Sequence, residues 1–107
     1  MVPAFCVAEV SHLLSREGTW EAEVRQLLAI AAAEFSVEPF KPTDAERMAE
    51  LVGAYCELPL GTVDASVIAT AERLDIRTVA TLDHCRFDVV RPAHVGAFEF
   101  LPRSLRA

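Results

Sequence analysis

Three carboxylates stand where the sequence makes chemistry easiest to build. Asp83 directly follows the apolar run Arg77–Leu82, which reads as a buried strand. In open α/β sheets ligands bind just beyond the carboxyl ends of strands, so an acid there is well placed for function, although an ordinary turn Asp has the same look. Asp64 falls in the first turn of a helix expected over residues 63–74, where an acid also simply complements the helix dipole. Glu9 sits in an opening helix beside Ala8 and Val10, on what amphipathy alone would make the solvent side. Carboxylates brought together can hold a divalent cation, and the cation can then meet a phosphate.

Other chemistry is poorly served. There is no G-x-S-x-G, and Ser11 and His12 are helix neighbours that do not face each other. With four glycines and no glycine-rich loop, nicotinamide and P-loop sites are unsupported. His12, His84 and His94 read as surface or core-edge residues. A zinc site from His84, Cys85 and a distant partner lacks the usual ligand spacing.

The elements that must position these acids alternate between helix and strand. Pro3 is expected in the first turn of a helix over 4–15, with Val7, Val10, Leu13 and Leu14 at helical spacing. Thr19 is an expected N-cap for a helix over 20–33, striped by Val24, Leu27, Leu28 and Ile30. Phe35–Glu38 alternates as a short strand before Pro39. Thr43-Asp44-Ala45-Glu46 fits a capping box for a helix over 44–56, carrying Met48, Leu51, Val52 and Tyr55 inward. Leu58-Pro-Leu-Gly61 breaks it, and the 63–74 helix turns Val67, Ile68 and Ala71 inward. Phe98–Leu101 is a last strand. The alternation predicts an α/β fold with a mostly parallel but thin sheet, about three strands against the usual five or six.

At 107 residues and 52% apolar composition, one domain or part of one is expected. The longest charge-free stretches, Met1–Ala8 and Gln26–Ala33, are far short of the roughly 20 apolar residues of a membrane span, and no secretory signal is visible. Three scattered cysteines suggest free thiols in a reducing cytosol, with Cys6 and Cys56 packed in the core. The formal charge of −6 argues against a broad nucleic-acid-coating face but not against a nuclease that meets phosphate through metal. Residues 76–107 carry a mild basic excess: Arg77, Arg86, Arg91, Arg103 and Arg106 against Asp83, Asp88 and Glu99.

Taken together, Leu60-Gly-Thr-Val-Asp64 through Leu74, Thr78-Val-Ala-Thr-Leu-Asp83-His-Cys-Arg-Phe87, Val90-Arg-Pro92 and Phe98-Glu-Phe-Leu-Pro102 resemble the C-terminal half of the PIN-domain family, most of all its VapC-type toxins. Val2 to Val10, around Glu9, resembles the segment that carries the family's second acidic residue. The resemblance implies a three-layer α/β/α fold with a mostly parallel central sheet. It implies a metal-dependent endoribonuclease, the toxin of a bacterial toxin–antitoxin pair. Carried over by motif, Glu9, Asp64 and Asp83 become ligands of one or two Mg2+ or Mn2+ ions, with Thr81 and Arg86 as possible helpers at the carboxylates and the RNA backbone. RNA as substrate, a cognate antitoxin, a homodimer, a cytoplasmic location and no membrane association follow from the same likeness. The family's first acidic residue has no match here, so the resemblance implies a partial domain over 1–107, incomplete at its N-terminus through a late start or gene decay. An impaired remnant that only binds an antitoxin or another PIN chain is the alternative reading. An unrelated α/β binding module is the third.

Overall fold

The computed structural model describes residues 1–57, 60–80, 92–94 and 98–101. The chain divides into two compact units, Met1–Pro42 and Thr43–Ala107.

The first unit holds β1 (Val2–Pro3), α1 (Ala4–Glu17), α2 (Trp20–Ala31) and β2 (Val37–Glu38). β1 and β2 run parallel, with Val2 opposite Val37 and Pro3 opposite Glu38, and the Val2 N–H donates to Ser36 O at 2.8 Å. Pro3 therefore lies outside the first helical turn, contrary to the sequence reading. It ends β1 and caps α1 at φ −61°, ψ 146°. The proline ring sets only φ, at a value shared by helix and extended chain; ψ decides, and the sequence does not display ψ.

α1 stops at Gly18, whose N–H donates to Leu14 O at 3.0 Å. A Cβ on Gly18 would stand 2.9 Å from that same carbonyl, so the turn needs glycine. Thr19 caps α2 as expected, its Oγ1 accepting from the Ala22 N–H at 3.3 Å, with Glu21 and Glu23 in the first turn. α2 ends at Ala31, two residues early. Ala33 adopts the left-handed region at φ 57°, and Glu34 N–H closes back on Ala29 O at 3.0 Å. No glycine marks this end, which is why the alanine run reads as continuous helix. Phe5 packs edge-on against Phe40 at 4.9 Å, and Gln26 Nε2 donates to Val7 O at 3.4 Å. Neither α1 nor α2 buries a residue completely.

The second unit holds α3 (Pro42–Ala54, whose first residue belongs to the other unit), α4 (Thr62–Arg73), β3 (Thr78–Ala80) and β4 (Glu99–Leu101). α3 begins at Pro42, so Thr43 lies inside the first turn rather than serving as the N-cap of a capping box. Proline is at ease in that first position because its missing N–H has no intrahelical partner to lose. Met48, Leu51, Leu60, Ala65, Ile68, Ala69, Ala71, Val79 and Phe98 form the core. Of the expected α3 stripe, Met48 and Leu51 are buried, Tyr55 is half-buried and Val52 is exposed. β3 and β4 are parallel, in register Thr78↔Glu99, Val79↔Phe100 and Ala80↔Leu101. Both described strand pairings are thus parallel, as the α/β pattern requires. Cys6 is half-buried and Cys56 exposed, so neither is the core cysteine expected; short apolar neighbours in sequence do not fix the helix face a side chain takes. Among the described residues, no helix is long and apolar enough to cross a membrane.

Candidate functional site

Asp64 is placed by the start of α4. Gly61 is the N-cap, extended at φ −75°, ψ 166°, and its carbonyl accepts from the Ala65 N–H at 2.9 Å. Ser66 Oγ folds back on Val63 O at 2.6 Å. These bonds settle the first turn, and Asp64 stands in it half-buried, at the end of the helix where backbone N–H groups favour negative charge. A Cβ on Gly61 would meet Asp64 Oδ2 at 3.9 Å, an ordinary contact.

Glu9 lies within α1 and is exposed. It belongs to the Met1–Pro42 unit, whereas Asp64 belongs to Thr43–Ala107. Asp83 lies outside the described residues, as do Thr81, His84, Cys85 and Arg86. Among the described residues, no three His, Cys, Asp or Glu side chains gather at metal-binding distance. The donor set itself, carboxylate oxygen throughout, is what a hard divalent cation takes.

α4 is anchored at its other end by charges the sequence reading did not single out. Arg73 forks onto Asp44 of α3, Nε to Oδ1 at 2.9 Å and Nη2 to Oδ2 at 3.1 Å. Arg47 of α3 forks onto Glu72, Nε to Oε1 at 2.7 Å and Nη2 to Oε2 at 2.9 Å. The two pairs run in opposite senses, acid to base and base to acid. Asp44 is only 4% exposed, which is tolerable for a carboxylate because both oxygens are engaged. Burial pushes the Glu72 carboxyl up. The Arg47 fork, the Ala93 N–H and the charges of Arg47 and His94 outweigh it and hold Glu72 below its usual range. The same Glu72 hydrogen bonds raise the Arg47 guanidinium above its ordinary value against the cost of burial, with a smaller push from Glu50. An open cleft of about 340 Å3 is lined by Thr43, Asp44, Arg47, Ala69, Glu72 and Arg73, and its charged groups are engaged with each other.

A signal for Asp44 was present. Residues 44, 48, 51 and 55 share one helical face, so the apolar stripe of α3 extended back one turn lands on an acid. A carboxylate on a core stripe demands a cationic partner.

Comparison with known proteins adds two findings. The family model described as PIN domain matches residues 1–91, a span that enters both compact units. The chain is also 28% identical over 102 residues to Ribonuclease VapC26 of Mycobacterium tuberculosis (strain ATCC 25618 / H37Rv), across 95% of this chain and 76% of that protein.

Proposed function

The chain belongs to the PIN-domain family, and from that premise we propose that it is a metal-dependent endoribonuclease of the VapC type, hydrolysing RNA phosphodiester bonds. Residues 1–107 act as one PIN-like domain. Glu9, Asp64 and Asp83 supply the carboxylate oxygens for Mg2+ or Mn2+. The chemistry such a cation supplies is activation of water and stabilisation of the charge that develops on the phosphate. Asp64 places its carboxylate in the first turn of α4. No side-chain nucleophile is required, in keeping with the absence of an arranged one from the sequence. The protein works as a cytoplasmic homodimer and is held inactive by a cognate antitoxin.

The observation that carries this reading is the PIN-domain match over residues 1–91, supported by a relative named as a ribonuclease along 95% of the chain. The test is cleavage of a single-stranded RNA by the purified chain with Mg2+ or Mn2+, then with EDTA. Cleavage that stops on chelation, returns with metal and falls about a hundredfold or more in Asp64→Asn and in Asp83→Asn supports it. RNA left intact by the folded, metal-supplied chain overturns catalysis and favours the binding remnant.

A further inference from the structure

The carboxylate that ties the Thr43–Ala107 unit together is Glu72. Its side chain is 10% exposed, and both oxygens are in use. Oε1 accepts from Arg47 Nε; Oε2 accepts from Arg47 Nη2 and, at 2.6 Å, from the Ala93 N–H. One side chain therefore joins α3, α4 and the chain at Ala93. His94 reinforces the junction, its Nε2–H donating to Ile76 O at 2.6 Å, just past the end of α4. Ile76 N–H in turn closes on Ala71 O at 2.8 Å.

The neighbouring fork, Arg73 on Asp44, grips α4 at the next position. Both forks land on α3 from successive residues of α4, so they tie the two helices together at two neighbouring points. A bidentate fork resists twisting as well as separation, because rotating either plane breaks one of its two hydrogen bonds. Held this way α4 does not roll, and the direction of every side chain along it is set. Asp64, two turns N-terminal to Glu72, is one of these.

We propose that Glu72 is a positioning residue: its joint hold on Arg47 and the Ala93 N–H fixes the rotation of α4 and thereby aims Asp64 at the divalent cation. This rests on the metal-ribonuclease reading above. The competing account is an ion pair that stabilises the fold and nothing more.

Manganese affinity separates the two. The full chain, its Glu72→Ala, Glu72→Gln and Asp64→Asn variants, and Met48→Ala are titrated with Mn2+ by calorimetry at 25 °C, with Tm measured alongside. Met48 is a buried core residue of α3 that makes none of the fork hydrogen bonds, so its truncation lowers stability while leaving both forks their partners. Positioning predicts that Glu72→Ala loses about tenfold in Mn2+ affinity and Glu72→Gln about threefold, while Met48→Ala loses Tm and keeps wild-type affinity. Glu72→Ala and Met48→Ala both losing Tm and both keeping wild-type affinity overturns it. If Glu72→Ala does not fold, folded Glu72→Gln binding Mn2+ as wild type does the same. Wild-type affinity in Asp64→Asn instead overturns the metal reading itself, a failure recognisable apart from that of Glu72.

Discussion

α2 and α4 have the same length and α2 is the more apolar, yet they live in opposite surroundings. α4 buries Ala65, Ser66, Ile68, Ala69, Thr70 and Ala71, with Ile68 wholly enclosed. α2 buries nothing, and it leaves Trp20 at 71%, Leu27 at 59% and Leu28 at 62% exposure. The contrast teaches that a helical stripe shows which face is ready for burial, not whether this chain supplies anything to cover it. It also separates two kinds of support. The Met1–Pro42 unit is organised by caps, a short parallel pairing and one edge-on aromatic contact. The Thr43–Ala107 unit combines a core with two crossed ion pairs. Asp64 is carried by the more firmly held of the two.

That difference breaks most visibly in the core. Leu51→Ala, at a side chain 1% exposed, is expected to cost about 3–4 kcal/mol in urea unfolding. Arg73→Ala comes next, at about 3 kcal/mol, because it strands the buried Asp44 carboxylate without its fork. Breaking Arg47 from Glu50, which is 68% exposed, should be barely measurable by comparison.

Acid weakens the same unit through Glu72. Its carboxyl is held below the ordinary 4.5, so in the unfolded chain it takes up a proton more readily than in the folded one. Its stabilisation is complete above that ordinary value and is lost as pH falls through the lowered one. Unfolding midpoints measured from pH 7 down to pH 3 should therefore drop more steeply for wild type than for Glu72→Gln.

The other unit answers weakly, and in one case with the opposite sign. Ala33→Gly relieves an alanine at φ 57° and should gain about 0.5–1 kcal/mol, read as a raised Tm. Leu28→Ala removes a side chain that is already mostly in water and should change stability by about 0.5 kcal/mol or less.

Much of this architecture was legible beforehand. Thr19 announced α2, Met48 and Leu51 announced the inner face of α3, and the short link between α4 and β3 announced an α/β unit. The misses share a cause. Pro3 suits strand and helix equally in φ, Thr43 fits a cap but sits one step inside a helix that Pro42 starts, and Ala33 ends α2 without a glycine to mark it. Each turns on one backbone angle that residue type leaves open. For the site, motif likeness singled out Glu9, Asp64 and Asp83; Glu9 stands exposed in α1, Asp64 stands in the first turn of α4, and Asp83 lies outside the described residues. The Asp44–Arg73 and Arg47–Glu72 forks went unread because their partners lie 29 and 25 residues apart, and only the fold makes such groups neighbours.

The most direct test of the account is the site of cation binding on α4. Substoichiometric Mn2+ added to the 15N-labelled chain should broaden the amide signals around Gly61–Ser66 first, and Asp64→Asn should abolish that effect. Signals at Gly61–Ser66 that stay sharp in the wild type, or that broaden equally in Asp64→Asn, would contradict it.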